Sequence, residues 1–242
     1  MATGTKKGSE QKVEFRRPVA FLFELENSAV DGRKMLFDVC KQLLGERDAE
    51  LTPELFVRYC TIPSPARFVP ALLDAMGKKR LSAEKLAAEI TEALHSALLG
   101  DRVRAMPSFT KLMQKMQDKN VLLGSLTALP RDTAEALLKK LGLEKFNVKI
   151  HCSAPDAGAF PTADGWLKLA KVVSVPPVGC AALATSGVSC AAAVSAGMHC
   201  VALPDEFTSY QAFSGADLLV DKLSDENVTE IQSMLIQPNP LT

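Results

Sequence analysis

The sequence has few of the features that mark nucleic-acid-binding or membrane proteins. Its 28 Lys and Arg residues are balanced by 28 Asp and Glu residues, so the formal net charge is zero. This balance argues against a nucleic-acid partner and against electrostatic binding to a membrane surface. No apolar run approaches the roughly 20 residues that a bilayer-spanning helix needs. The longest candidate, residues 181–196, is interrupted by Gly187 and by several polar side chains.

Histidine is scarce and cysteine is scattered, so neither predicts a metal site. Neither His95 nor His199 has a second ligand four residues away, as a helical metal site would need. Six cysteines are present without a Cys-x-x-Cys pair or a zinc-ligand spacing, namely Cys40, Cys60, Cys152, Cys180, Cys190 and Cys200. We interpret them as reduced thiols, which are typical of cytoplasmic proteins.

The N-terminal segment, residues 1–13, is polar and lacks the apolar stretch of a signal peptide. We expect this segment to be a disordered tail and the protein to be cytoplasmic. The remaining chain is hydrophobic enough to bury a large core, since 47% of the 242 residues are hydrophobic. Such a length fits one large domain or a core with a smaller appended domain. The single tryptophan, Trp166, opens a helical segment without basic neighbours, and we expect it to pack in the core or against a cap.

Strand-like and helix-like segments alternate through most of the sequence. Residues 18–25 form a continuous apolar run, which is typical of a strand buried on both faces. Later candidate strands are residues 120–126, 148–152, 180–184, 199–203 and 217–220. Candidate helices between and after them are residues 108–119, 131–141, 164–173, 190–196 and 225–235. This alternation predicts an α/β fold with a Rossmann-like, doubly wound parallel sheet.

A second kind of pattern fills residues 33–104, where apolar residues recur at spacings of three and four. This spacing predicts helices, and Pro53 and Ser82 are suitable helix starts. We therefore predict an all-helical domain at residues 33–104, inserted into an α/β core formed by residues 14–32 and 105–242.

The end of the first strand is the place to look for a functional site, because ligands of open parallel sheets bind beyond the carboxyl ends of the strands. Glu24 and Glu26 stand there, two residues apart. The residues alone allow two interpretations: a solvated pair after the strand, or a paired acidic site for metal binding or acid–base chemistry.

Residues 21–30 resemble the first motif of the haloacid-dehalogenase superfamily, a strand followed by Asp-x-Asp-Gly-Thr-x-Val. The resemblance puts Glu24 at the nucleophile position and Glu26 at the general acid/base position. Asn27 and Ser28 stand where the family has Gly and Thr.

Three later motifs extend the resemblance to residues 18–235. Thr127 matches the family's Ser or Thr after the second sheet strand, whereas Phe160 stands where the family has a Lys. Ala184 and Thr185 stand where the family has acidic residues. The helical insert resembles the cap of the phosphoglycolate-phosphatase and β-phosphoglucomutase subfamily.

The resemblance implies phosphoryl transfer to the first carboxylate, with Mg²⁺ neutralising the phosphate. Glutamate at positions 24 and 26 adds a methylene to each side chain, and a displacement of roughly 1 Å can cost about 10²-fold in rate. Thr185 and Ala184 remove metal-binding carboxylates, and Phe160 removes a cation. We therefore predict a pseudoenzyme with no cofactor, in which Glu24, Glu26 and Thr127 are degenerate site positions.

Three functions remain open from the sequence. In the first, the cleft binds another protein, a second copy of the chain as a homodimer, or a small molecule. Alternatively, the chain is a divergent Mg²⁺-dependent hydrolase with Glu24 as nucleophile and with Glu24 and Glu26 as the available metal ligands. A purely structural role with an inert cleft is the third. Thr127 and Ser186 are candidate hydrogen-bond donors to an anion, although Thr127 also suits a simple strand end, and Lys149, His151 and Lys168 are candidate cations.

Overall fold

A six-stranded parallel sheet forms the centre of the computed structural model, which describes residues 19–153 and 160–236. The order of the strands in the sheet is β3-β2-β1-β4-β5-β6. The strands are β1 (Ala20–Glu24), β2 (Leu122–Thr127), β3 (Lys149–Cys152), β4 (Cys180–Ala184), β5 (His199–Ala202) and β6 (Leu218–Leu219).

The strand order places β1 at the topological switch point of the sheet. The chain extends the sheet from β1 through β2 to β3, and then returns to the other side of β1 with β4. In such sheets the connections leave a crevice outside the carboxyl ends of the two central strands. Glu24, the last residue of β1, therefore lies at the mouth of this crevice.

Ten α-helices are present in the described residues. They are α1 (Leu25–Ser28), α2 (Gly32–Gly45), α3 (Pro53–Tyr59), α4 (Pro65–Ala75), α5 (Ala83–Leu98), α6 (Pro107–Asp118), α7 (Arg131–Lys140), α8 (Ala163–Val172), α9 (Gly187–Ser195) and α10 (Asp225–Ile236). No helix in the described part of the chain is long and apolar enough to cross a membrane.

Helices cover both faces of the sheet, because alternate residues of β1 point to opposite sides. Phe21 and Phe23 belong to the core beneath α6, α7 and α10. Ala20 and Leu22 belong to the core beneath α8 and α9, together with the fully buried Trp166. This two-sided arrangement confirms the predicted doubly wound α/β fold and the core position of Trp166.

The helices α2 to α5 lie between β1 and β2 and share a third hydrophobic core. The side chains of Thr52 and Ser82 cap α3 and α5 by accepting hydrogen bonds from the backbone N–H groups of Leu55 and Lys85. We call residues 33–104 the cap segment. One residue of its core comes from elsewhere: Phe207, in the loop after β5, packs among the cap residues.

Two local predictions were wrong. The first strand ends at Glu24 and not at residue 25, because Leu25–Ser28 form the single helical turn α1, which holds Glu26 on helical backbone. Helix α9 begins at Gly187, before the predicted Cys190, because the Ser186 side chain accepts a hydrogen bond from the Ser189 N–H and caps the helix there. The tail predicted to be disordered, residues 1–13, lies outside the described residues.

Candidate functional site

Glu24 is buried at the carboxyl end of β1 and is held by the neighbouring strand end. Only 1% of its surface is exposed. Its Oε1 accepts a hydrogen bond of 2.9 Å from the backbone N–H of Thr185, the residue that follows β4. Its Oε2 has only a long contact of 3.5 Å from the Asn27 amide. One oxygen of this carboxylate is therefore fixed, and the other retains free acceptor capacity.

Glu26 extends from α1 towards the end of β2, where two donors meet the same oxygen. Its Oε1 accepts a 2.6 Å hydrogen bond from the Thr127 hydroxyl and a 3.2 Å hydrogen bond from the Ala128 N–H. Burial raises the pKa of Glu26 to about 7, and these two hydrogen bonds oppose that rise. At neutral pH the protonated and the ionised form of Glu26 are therefore both populated.

The sequence suggested the Thr127 hydroxyl as a hydrogen-bond donor to an anion, but this hydroxyl donates to Glu26. Its hydroxyl proton goes to Glu26, and its oxygen accepts a 3.0 Å hydrogen bond from the Leu129 N–H. Because a hydroxyl has a single proton, Thr127 orients Glu26 in this arrangement instead of offering a donor to the cleft.

Arg33 provides a cation that sequence reasoning missed. It is the second residue of α2, and only 6% of its surface is exposed. Its guanidinium forms a salt bridge with Asp205 and donates a hydrogen bond of 3.3 Å to the Thr185 hydroxyl. Arg33 was not among the cations that the sequence suggested, namely Lys149, His151 and Lys168, and Asp205 already neutralises its charge.

Asp205 is fixed by its own loop, which follows β5. Its Oδ1 accepts hydrogen bonds from the Phe207 N–H at 2.9 Å and from the Thr208 hydroxyl at 3.1 Å. The hydroxyl of Thr208 also lies 2.9 Å from the Thr185 carbonyl oxygen. The loop after β5, the end of β4 and the start of α2 are thus tied into one polar network around Thr185.

Gly32 brings the start of α2 unusually close to the site. A Cβ atom at this position would lie 2.5 Å from the Glu26 carbonyl oxygen. No side chain fits such a separation, so only glycine allows α2 to begin here and to direct the adjacent Arg33 towards Thr185.

A cavity of about 270 Å³ lies between the cap segment and the carboxyl end of the sheet. Glu24 and Glu26 line it on the sheet side, and Leu36, Leu94 and His95 line it on the cap side. Burial lowers the pKa of His95, so its imidazole is uncharged at neutral pH. The cavity is therefore largely apolar, with its acidic groups at one end.

The structure brings the remaining predicted positions to the same region. Phe160 is 8% exposed and lines the cavity, and Ala184 is fully buried at the end of β4. Thr185 follows Ala184 and contacts both Glu24 and Arg33. In contrast, Lys168 pairs with Asp164 on an exposed surface, and it does not line the cavity.

Arg33 and Asp205 were missed because their types and positions carry little signal in a sequence. Asp205 follows a strand, so the rule that ligand sites lie at the carboxyl ends of strands points to its loop. Arg33 follows Gly32 directly after the first motif, but an arginine at a helix start is ordinarily a surface residue. Only the close approach at Gly32 turns it inward.

No protein-family model and no curated protein matches this sequence, whereas solved structures match its fold. CbbY from Rhodobacter sphaeroides, solved in complex with phosphate, is 19% identical with a TM-score of 0.70, over 86% of this chain and 96% of that chain. β-Phosphoglucomutase from Clostridium difficile is 20% identical with a TM-score of 0.70, over 89% and 97%. The chain has the haloacid-dehalogenase-like fold.

Another protein with this fold is a HAD family hydrolase from Deinococcus radiodurans with bound phosphate and sodium. It is 17% identical with a TM-score of 0.68, and the match covers 92% of this chain and 99% of that chain. The likeness extends over nearly the whole length of each protein, including the helices between β1 and β2. At these identities it establishes the fold and leaves the chemistry to the residues of this chain.

The residues of this haloacid-dehalogenase-like site do not fit a Mg²⁺ ion. Mg²⁺ takes oxygen ligands in near-ideal octahedral geometry and prefers carboxylates. Thr185, at the position of a metal-binding acid in the resemblance, instead accepts a hydrogen bond from the Arg33 guanidinium. In the described residues no group of three or more His, Cys, Asp or Glu side chains is placed to hold a metal. Position 185 therefore offers a divalent cation a neutral hydroxyl that already bonds to a guanidinium, and no carboxylate.

Proposed function

We propose that this chain is a non-catalytic protein with the haloacid-dehalogenase-like fold, and that it acts by binding a small molecule in the cleft between cap segment and sheet. The contact of the Arg33 guanidinium with Thr185 carries this proposal. It puts a fixed cation where phosphoryl transfer needs an exchangeable metal ion, and Asp205 balances that cation within the protein.

The other side of the cleft supports the same proposal. Phosphoryl transfer requires cations around the oxygens of the transferred group. Phe160 instead presents an apolar ring to the cavity. Glu24 and Glu26 add negative charge near the position of attack. A phosphate dianion entering this cavity would therefore meet carboxylates before it met an available cation.

The size of the cleft favours a small molecule over a protein partner. A cavity of about 270 Å³ has the volume of roughly nine water molecules at about 30 Å³ each. Ligand sites in proteins are usually apolar cavities with a few polar groups that fix orientation, and this cavity has that composition. The six free thiols and the balanced charge support a cytoplasmic protein without a nucleic-acid or membrane partner.

One observation favours a second candidate, a divergent hydrolase with Glu24 as nucleophile. Glu26 has a pKa of about 7 and lines the same cavity as Glu24. A raised carboxyl pKa beside a second, fixed carboxylate is the arrangement of many acid–base pairs. This candidate predicts turnover that depends on Glu24 and peaks near neutral pH.

Phosphatase assays separate the two candidates. We expect no hydrolysis of p-nitrophenyl phosphate or of a panel of small phosphoesters above the rate of a Glu24→Gln variant, with or without Mg²⁺. Glu24→Gln keeps the shape of the side chain and removes its charge. Turnover that needs Mg²⁺ and is lost in Glu24→Gln would refute the non-catalytic proposal and establish the hydrolase.

A further inference from the structure

The cavity beneath the cap segment has two chemically different ends. The sheet end carries the carboxyl groups of Glu24 and Glu26. The cap side is lined by Leu36 of α2 and by Leu94 and Leu98 of α5, and its polar groups are Thr61, Ser64, Thr91 and His95. The carboxyl groups of the sheet side suit a polar head of a ligand, and the leucines of the cap side suit an apolar body.

The carboxyl groups leave acceptor positions open to this space. The Oε2 atom of Glu24 has only the 3.5 Å contact with Asn27, which is at the limit of a hydrogen bond. Both protein donors to Glu26 meet its Oε1 atom, and among the described residues no donor meets its Oε2 atom. Each side chain thus has one oxygen that can still accept a hydrogen bond from a ligand.

The residues that line the cavity carry an excess of negative charge. Arg33 is the only Lys or Arg among the described residues that line it, and its guanidinium is already paired with Asp205. His95 is uncharged at neutral pH because burial lowers its pKa. The carboxyl groups of Glu24 and Glu26 have no such partner. Buried carboxylates of this kind are stabilised by a cation that also donates hydrogen bonds.

We propose that the cavity binds a small organic amine, with its primary ammonium group between Glu24 and Glu26 and its apolar body against Leu94 and Leu98. This inference rests on the proposed binding function of the same cleft and names the class of ligand. An ammonium group supplies three donors and one positive charge, which matches the open acceptors and the charge of the sheet end.

The volume and the walls narrow the class further. About 270 Å³ accommodates a ligand of about ten non-hydrogen atoms, by comparison with water at about 30 Å³. Phe160 and Leu129 also line the cavity, so a flat ring or a branched hydrocarbon finds apolar contacts in it. Phosphorylated and carboxylated ligands are disfavoured by the two glutamates.

Three probes that share one apolar body test the proposal: 2-phenylethylamine, 2-phenylethanol and 2-phenylethyl phosphate. Their binding to the full chain is measured by isothermal titration calorimetry at pH 8, with and without Mg²⁺. We expect the amine to bind at least about tenfold more tightly than the alcohol, since it adds a charge-assisted contact, and we expect no binding of the phosphate.

Two variants control for the site. Glu24→Gln is expected to weaken the amine about tenfold and to leave the alcohol within about twofold, because it removes charge without changing shape. Leu94→Trp, which places a large ring in the cavity, is expected to abolish binding of both. Thermal unfolding of each variant verifies that it is folded, and Leu94→Trp tests the site without altering either carboxyl group.

The outcomes separate this inference from the function on which it rests. Equal affinities for the amine and the alcohol, both lost in Leu94→Trp, would overturn the ammonium and leave the binding function intact. Tighter binding of the phosphate would overturn the ammonium alone, and Mg²⁺-dependent hydrolysis of the phosphate would overturn both. Failure of all three probes to bind at about 10 mM, a concentration at which contacts worth about 3 kcal/mol are detected, would also overturn the amine proposal.

Discussion

Glu26 is held by two donors from the end of the neighbouring strand. From α1 its carboxyl group reaches Thr127 and Ala128 at the end of β2, and both donors meet one oxygen. The residue is half-buried at the wall of the cavity, where its ionised form is poorly solvated. Burial and the neighbouring charge of Glu24 both favour the protonated form.

The raised pKa of Glu26 predicts a pH-dependent stability. Its folded-state pKa is about 7, against an ordinary value of 4.5, so between these values the folded chain binds a proton that the unfolded chain does not. Stability from this group therefore falls as the pH rises from about 4.5 to about 7 and stays low above it. Glu26→Gln should raise the free energy of unfolding by about 1–3 kcal/mol at pH 8.

Urea unfolding at pH 8 and pH 5 tests this prediction. The advantage of Glu26→Gln over the native protein should shrink at pH 5, where the native side chain is protonated in the folded state. Glu50→Gln, at an exposed residue of the cap segment, is the matched control and should show no such difference. An advantage of Glu26→Gln that is equal at both pH values would contradict the account of Glu26.

The Arg33 network makes a second prediction at the scale of single residues. Arg33→Met and Asp205→Asn should each destabilise the protein, and Asp205→Asn should do so more, because it leaves the buried Arg33 guanidinium unpaired whereas the Asp205 side chain is 34% exposed. A double-mutant cycle should give a coupling energy of about 1–3 kcal/mol between them. Arg33→Lys should not restore the native stability, because an ammonium group lacks the planar fork of donors with which the guanidinium contacts Asp205 and Thr185 together. Additive effects would show that the pair is incidental.

For single residues, the sequence predicted which side chains lie at the site better than which groups those side chains contact. Glu24, Glu26, Thr127 and Phe160 lie around one cleft, as strand ends and the family resemblance indicated. The sequence did not show that the Thr127 hydroxyl would go to Glu26. Nor did it show Arg33 turned inward, because that depends on a backbone approach at Gly32 that exists only in the folded chain.

At the scale of elements, the loop after β5 joins the sheet to the cap segment. Asp205 of this loop binds Arg33 at the start of α2. Two residues later, the ring of Phe207 lies with its centroid 5.3 Å from that of Phe37 and 4.8 Å from that of Phe56. A polar and an aromatic contact from one loop thus hold the cap segment over the cleft.

Removing the aromatic contact should loosen the cap segment. Phe207 is 4% exposed, and truncating a buried phenylalanine costs about 3–5 kcal/mol. We expect Phe207→Ala to lower the free energy of unfolding by about 3 kcal/mol and to speed hydrogen exchange in α3 more than in β1. Tyr210→Ala, in the same region but with a side chain that is 60% exposed, is the control. Equal exchange in α3 of both variants would contradict this role of Phe207.

Element boundaries were predicted where apolar periodicity is strong and missed where capping or a single turn decides. Strand β4 has the predicted bounds, because continuous burial on both faces leaves a clear apolar run. Helix α9 begins earlier than predicted because Ser186 caps it, and its Ala-rich sequence gives no sharp apolar stripe. The turn α1 has only four residues, too few for a helical period.

At the scale of the whole molecule, the fold and the chemistry depend on different residues. The sheet, its switch point and its two helical layers rest on apolar positions, which tolerate changes at strand ends. The site rests on a few residues, and the resemblance puts threonine, alanine and phenylalanine of this chain where the family has carboxylates and a lysine. The fold was therefore predictable from the sequence, whereas the ligand was not.

Because the fold does not depend on the residues of the site, a metal site can be rebuilt by substitution. We predict that strong Mg²⁺ binding also requires removal of the Arg33 guanidinium. A fivefold variant restores the acids and the lysine of the resemblance: Glu24→Asp, Glu26→Asp, Phe160→Lys, Ala184→Glu and Thr185→Asp. We expect this variant to bind Mg²⁺ weakly, because Arg33 would pair with the new carboxylate at position 185. Addition of Arg33→Ala should improve Mg²⁺ affinity by about tenfold or more. An equal affinity in both variants would show that Arg33 does not oppose the metal.

Calorimetric titration of the native protein with Mg²⁺ at pH 8 tests the central claim most directly. The claim is that position 185, a threonine bonded to the Arg33 guanidinium in place of a carboxylate, no longer holds the metal on which phosphoryl transfer depends. We predict no saturable binding up to about 10 mM Mg²⁺, a concentration that reveals interactions of about 3 kcal/mol. Saturable binding with a Kd below about 1 mM that is lost in Glu24→Gln would contradict the claim.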